Sequence, residues 1–221
     1  PEGDRWRLVC GDCSMIADAI ILAVGASPRR LKIPGERDLF GRGVSYCATC
    51  DGFFYKGKTV AVIGGGNSAV EEALYLSDIA EKVYVVHRRD ELRAERILAE
   101  RAFEVDNLEF VWDTIPTEIL GDDSGVTGVA LHNKKTEEDA ELEIDGLFVA
   151  IGYEPNTDFL GDLIELDHGF IVTDGRMRTS QPGVFAAGDV RDTPLRQVTT
   201  AVGDAAIAAD SAYRYVSERR G

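Results

Sequence analysis

Two thiols separated by two residues, with a carboxylate next in line, stand at Cys47-Ala48-Thr49-Cys50-Asp51-Gly52. This spacing lets the sulfurs close a small disulfide ring and lowers the pKa of one of them, which suits a redox-active pair. Asp51 is placed to act as general acid or base for a thiolate leaving group. Asp51-Gly52 reads equally as a turn dipeptide. A second pair, Cys10-Gly11-Asp12-Cys13, raises a competing chemistry, a four-cysteine zinc site. The stretch between the pairs exceeds the usual ribbon spacing of about 15–20 residues, so no metal ligand is assigned. Cys10 and Cys13 are expected at a hairpin tip, inert or joined in an incidental disulfide.

Directly after the thiols comes Lys58-Thr59-Val60-Ala61-Val62-Ile63-Gly64-Gly65-Gly66-Asn67-Ser68-Ala69, a strand running through a G-x-G-x-x-A turn into a helix. Gly64 permits the tight turn, Gly66 lets a pyrophosphate approach the backbone, and Ala69 keeps the helix near the strand. Gly65, Asn67 and Ser68 complete a helix N-terminus whose free N–H groups face the phosphates. Glycine turns without a ligand are common, so the motif alone is weak. The end of the next strand sharpens it. A carboxylate about 20 residues on would hold a ribose 2′-hydroxyl, yet this chain has His87-Arg88-Arg89, with Arg93 further along. Guanidinium groups bind a 2′-phosphate through charge-assisted hydrogen bonds, which points to NADPH rather than NADH. The alternative, a basic helix start on the surface, sets arginines against the helix dipole.

A third stretch, Gly183-Val184-Phe185-Ala186-Ala187-Gly188-Asp189-Val190, is a buried strand ending in Gly-Asp. A flavin's hydroxyl or phosphate groups would fit such an edge, and a plain strand-turn explains it as well.

Hydrophobic periodicity supplies the elements that must hold these residues. Strands are expected at Trp6–Val9, Ala19–Val24 (buried, ending at Gly25), Val60–Ile63, Val83–Val86, Leu108–Trp112 and Leu147–Ile151 (ending at Gly152). Antiparallel strands at Val126–His132 and Leu142–Ile144 flank a polar loop, and short strands are expected at Phe170–Val172 and Val184–Ala186. Helices are expected over Ala69–Ser77, over Arg93–Phe103 with Ile97, Leu98 and Phe103 inward, and over Thr199–Ser217. In the last, Ala201, Ala205, Ala206, Ala208 and Ala209 would permit close packing. The fold class is α/β, with a Rossmann-like dinucleotide-binding domain inserted into a second domain. Boundaries are expected at residues 1–28, 29–152 and 153–221.

In 221 residues, 24 basic against 39 acidic side chains leave a formal charge of −15. That argues against nucleic-acid binding and against docking on anionic membranes. No apolar run reaches the length of about 18 residues that a membrane span needs, and Pro1-Glu2-Gly3-Asp4-Arg5 does not read as a secretory signal. A cytoplasmic location is expected, where a close cysteine pair is more often catalytic or metal-binding than structural.

Taken together, Cys47-Ala48-Thr49-Cys50-Asp51-Gly52, the Gly64–Ala73 run, His87-Arg88-Arg89-Asp90 with Arg93, and Gly183–Val190 with Arg196-Gln197 resemble the low-molecular-weight thioredoxin reductases. These are members of the pyridine nucleotide-disulfide oxidoreductases. The resemblance implies an FAD domain interrupted by an NADPH domain that bears the dithiol. It implies that Cys50 sits against the flavin, that Cys47 attacks the substrate disulfide and that Asp51 handles the proton. Gly25, Gly188, Asp189, Arg196 and Gln197 would meet FAD, and Ile151 and Gly152 would join the NADPH site. Electrons would pass from NADPH to FAD, to Cys47–Cys50 and on to thioredoxin, whose potential of roughly −270 mV the donor must match. Domain rotation about hinges near Ala26–Ile33 and Gly152–Asn156 would bring each centre to the flavin in turn. Homodimers would form through the FAD domains. The family also carries an amino-terminal G-x-G-x-x-G for FAD that this sequence lacks, so a fragment holding NADPH but little FAD is expected; a nucleotide-binding fragment without turnover, or a reductase of another small redox protein, is the alternative. Replacing Arg88 and Arg89 by alanine is expected to raise KM for NADPH at least tenfold and to leave KM for NADH little changed. Equal effects on the two cofactors in steady-state assays would refute the phosphate assignment.

Overall fold

Runs without polar alternation, such as Val60–Ile63, Val83–Val86 and Leu147–Val149, need cover on both faces. A computed structural model describing residues 1–220 gives it to them. The chain begins with β1 (Trp6–Cys10), β2 (Cys13–Ala17), β3 (Ile20–Leu22) and β4 (Ala26–Pro28). Next come β5 (Val44–Ser45), α1 (Ala48–Asp51), β6 (Thr59–Ile63), α2 (Asn67–Ser77), β7 (Lys82–Val86) and α3 (Arg96–Phe103). They are followed by β8 (Leu108–Val111), β9 (Thr114–Asp122), β10 (Gly125–Asn133), β11 (Asp139–Glu143) and β12 (Gly146–Val149). The last elements are β13 (Tyr153–Pro155), β14 (Leu166–Asp167), β15 (Phe170–Ile171), β16 (Val184–Ala186) and α4 (Val198–Arg220). By contact density the chain divides into two units, Pro28–Gly152 and Pro1–Ser27 with the segment from Tyr153 onward.

In the unit Pro28–Gly152, five strands lie in the order β5-β12-β6-β7-β8, and every pairing is parallel. Successive residues of β6 point to opposite faces. Val60 and Val62 pack with Val70, Ala73 and Leu76 of α2 and with Phe148. Ala61 and Ile63 pack with Leu147, Val149 and, from the three-stranded antiparallel sheet β11-β10-β9, Val129 and Leu131. The sheet is thus covered by helix on one side and by a second sheet on the other, and Val60, Ala61 and Val62 are wholly buried.

Some expectations change. Helix α3 starts at Arg96 rather than Arg93, and its inward stripe is Leu98 and Ala102, one turn apart. Ile97 and Phe103 fall off that stripe and are exposed, Phe103 lying over Phe110 with ring centroids 4.9 Å apart. Strand β9 is not among the expected elements, because Pro116 and the charged residues Glu118 and Asp122 break the apolar pattern.

In the other unit, β1 and β2 form a hairpin in which Cys10 faces Cys13 across the turn, both free and exposed. Among the described residues strand β3 pairs only with β16, in a two-stranded parallel sheet, and Ile21 is exposed rather than buried. Helix α4 covers Phe185 and Ala187 through Ala208 and Ala212, while Ala205, Ala206 and Ala209 face outward. Strands β4 and β13 pair with one another where the chain passes between the units.

Phe148 is wholly buried, and its ring meets Tyr55 edge-on at 5.3 Å. Phe148→Ala is expected to cost about 3–5 kcal/mol in denaturant unfolding, the toll of a large unfilled cavity.

Candidate active site and dinucleotide pocket

Cys47 and Cys50 are joined as a disulfide, with Cα atoms 5.3 Å apart. Cys47 is the N-cap of the single turn α1, and its sulfur accepts the Cys50 N–H at 3.2 Å. The Thr49 hydroxyl stands 3.4 Å from the same sulfur. Gly52 follows the turn and packs closely on α2, where a Cβ would press on Leu76 and Tyr75. Ser45, buried on β5, donates to the Asp51 carboxylate at 2.6 Å and accepts the Cys47 N–H at 3.1 Å. One hydroxyl therefore ties the acid to the start of the dithiol turn, and nothing in the pattern around Ser45 announces that role. Behind it the Tyr46 hydroxyl donates to Glu36 at 2.8 Å, and burial together with that carboxylate pushes the phenol up to about 12. Glu36, itself buried, also takes the N–H groups of Leu31 and Lys32, so its charge is fully satisfied.

At the carboxyl end of the same sheet lies a cavity of about 470 Å³. Gly64, Gly65, Gly66, Asn67 and Ser68 form one wall, His87, Arg88 and Arg93 another, and Ile151 and Gly152 a third. A Cβ on Gly64 would collide with the Ala150 carbonyl and Ala69, and one on Gly65 with the His87 ring. The cradle is therefore open only to bare backbone, as a pyrophosphate requires. His87 is buried and its pKa is lowered, first by burial, so the ring packs neutral beneath the turn and the arginines supply the positive charge. Arg88, Arg89 and Arg93 occupy an irregular segment ahead of α3 rather than a helix start. Arg89 is not part of the cavity wall, whereas Arg29 and Arg30 are. The sequence shows those two as a basic connector, and only the fold brings them to the pocket. The residues present fit a phosphorylated dinucleotide.

In the other unit, Gly188 and Asp189 follow β16 in a short 3-10 turn. Asp204 of α4 accepts the Gly188 N–H at 3.2 Å and pairs with Arg191, two partners that the motif does not predict. The Arg196 guanidinium lies over the Phe170 ring at 4.2 Å with its Nε buried and unpartnered. Gln197 immediately precedes α4, and its N–H donates to Thr200 Oγ1 at 3.1 Å. Gly25 is half-buried beyond β3, its carbonyl accepting the Asn156 N–H at 3.1 Å. The buried, unsatisfied Arg196 Nε fits a polar cofactor.

A parallel sheet with a phosphate-binding turn and a disulfide on the same unit defines a nucleotide-dependent disulfide reductase. The family described as pyridine nucleotide-disulphide oxidoreductase matches residues 7–205. A thioredoxin reductase from Listeria monocytogenes is 48% identical over 219 residues, which covers 98% of this chain and 69% of that one. One from Coxiella burnetii is 51% identical over 224 residues, covering 97% and 68%. The crystal structure of thioredoxin reductase from Streptococcus pyogenes superposes with a TM-score of 0.92 at 48% identity, covering 99% of this chain and 72% of that one. The chain belongs to the pyridine nucleotide-disulphide oxidoreductases and, within them, to the thioredoxin reductases, whose cofactors are FAD and NADPH.

Because the Gly64 position meets backbone as well as Ala69, Gly64→Val is expected to weaken NADPH binding at least tenfold in a direct titration, with partial loss of stability.

Proposed function

We propose that the chain transfers electrons from NADPH, by way of FAD, to the Cys47–Cys50 disulfide and thence to the disulfide of thioredoxin. The observation that carries this reading is the placement of a closed disulfide and a glycine- and arginine-lined pocket in one unit, Pro28–Gly152. Residues 29–152 are the NADPH domain. Residues 1–28 and 153–221 are the two segments of the FAD domain.

Gly64, Gly65, Gly66, Asn67 and Ser68 hold the pyrophosphate. Arg88 and Arg93 hold the 2′-phosphate from the cavity wall, and Arg89, outside that wall, adds positive charge beside them, with His87 as the spacer beneath the turn and Ile151 and Gly152 as the far wall. Gly25, Gly188, Asp189, Arg196 and Gln197 hold FAD. When bound, the two cofactors supply a hydride and relay its electron pair to sulfur. Once the disulfide is reduced, the Cys50 N–H and the Thr49 hydroxyl favour negative charge on the Cys47 sulfur. Cys47 is therefore the nucleophile that opens the substrate disulfide, and Cys50 then displaces the product by closing the ring. Asp51, oriented by Ser45, gives and takes the proton that the leaving thiolate needs.

Since the dithiol and the nucleotide pocket belong to one unit, they reach the flavin in alternation, by rotation about the segments 26–33 and 152–156. Among the described residues no helix is long and apolar enough to cross a membrane. A cytoplasmic homodimer joined through FAD domains is the assembly we infer, with neither membrane nor nucleic acid as partner.

Cys50→Ser is expected to capture a thioredoxin as a mixed disulfide on Cys47, while Cys47→Ser forms none. Capture by the opposite variant would exchange the two roles. Asp51→Asn is expected to lower turnover about 100-fold with KM for thioredoxin little changed.

A further inference from the structure

Beneath the dithiol turn lies a carboxyl that the reaction above does not use. Glu72 is on α2, and its Oε2 is buried without a hydrogen-bond partner. The backbone N–H of Ala48, the residue next to Cys47, reaches this carboxylate from above. Ala48 is buried, and Gly52 at the far end of α1 rests on Tyr75 and Leu76, so α2 is the floor on which the turn sits. Burial pushes the Glu72 carboxyl up to about 7, repulsion from Glu71 adds to the push, and the Ala48 N–H opposes it.

The elements packed against α2 carry the other titratable groups. On α1 stand Asp51, held by Ser45, and the two cysteines. Tyr55 follows with its phenol raised by burial. On β7, Lys82 pairs with Glu109 of β8 at 2.7 Å and lies over the Tyr84 ring. On α3, Arg96 pairs with Glu100 at 2.6 Å, and Arg101 is exposed. Of the charged side chains, Glu71 is the one that weighs on Glu72.

We propose that Glu72 is a positioning residue for the Cys47–Cys50 couple, gaining a proton when the sulfurs gain charge and releasing it when they lose it. The inference rests on the dithiol being the redox centre. Breaking the S–S bond takes two electrons and turns both sulfurs into anions in a partly desolvated turn. One is protonated as the Cys50 thiol. The other remains the Cys47 thiolate, and a carboxylate anion buried under the same turn opposes it. The second proton therefore goes to Glu72. Disulfide, carboxylate, two electrons and two protons become thiolate, thiol and carboxylic acid. When the electron pair leaves for the substrate disulfide, the S–S bond re-forms and both protons are returned. Ala48 N–H stays directed at the carboxyl throughout, so the turn keeps its place while the charge moves.

The test equilibrates the Cys47–Cys50 couple of the folded chain with dithiothreitol buffers between about pH 6 and pH 8.5. The reduced fraction is read by alkylation and peptide mass, which separates these cysteines from Cys10 and Cys13. Glu72→Gln keeps an acceptor for the Ala48 N–H and removes the titration. The two proteins are expected to share one equilibrium constant near pH 6, where the carboxyl is protonated in both redox states. Near pH 8 the wild type is expected to be about 3- to 10-fold harder to reduce, a tenfold change being one unit of coupled pKa. Parallel curves across the range overturn the role of Glu72 and leave the dithiol assignment standing. Absence of reversible exchange at Cys47 and Cys50 in both proteins overturns both. Should Glu72→Gln fail to fold, the redox-difference infrared spectrum of the wild type near pH 7.5 decides. Reduction must raise a carboxylic-acid C=O band that moves on carbon-13 labelling of glutamate, and a spectrum without that band defeats the proposal.

Discussion

Burial of β6 on both faces is the constraint from which the rest of the site follows. A strand with no solvent face cannot slip in register without driving apolar side chains into the wrong layer. Val60 and Val62 are committed to α2, Ala61 and Ile63 to the opposing sheet. The end of the strand is therefore fixed, and the glycine turn that leaves it is fixed with it. Phosphate recognition by backbone amides works only if the amides are held still, and here two hydrophobic layers hold them.

The dithiol is anchored differently. Its single helical turn is too short to be stable alone, and it depends on contacts below and beside it. Gly52 allows close approach to α2, Ser45 gathers both Asp51 and the start of the turn, and the Ala48 N–H is turned toward Glu72. A rigid floor under a small ring suits a bond that must break and re-form without displacing its neighbours. The same floor brings a titratable carboxyl close to sulfur that changes charge, and that juxtaposition makes proton and electron uptake one event.

Much of this was legible in the sequence where one residue type has one physical use. Cys47 and Cys50, the glycines of the turn and the apolar run before them announce their geometry through spacing alone. The central parallel strands were equally plain, since continuous burial leaves no polar residue to confuse the period. Legibility failed where tertiary placement decides. Arg29 and Arg30 lie far in sequence from Gly64 yet share its cavity. Ser45 gives no local signal, because its meaning comes from Asp51 six residues on. Strand β9 hid behind a proline. The apolar pattern of α3 misleads, because Leu98 and Ala102 define a stripe that the larger Ile97 and Phe103 obscure.

The pairing of β4 with β13 carries a consequence for how such a chain can arise. Neighbouring strands in a ladder stand roughly 4.8 Å apart, so the points where the chain leaves one unit and re-enters it are almost adjacent. A segment of well over a hundred residues is thereby spliced into its host through a gap that a short loop would close. The two crossings thus occupy a single ladder, and the strands β3 and β16 of the other unit stay paired with each other.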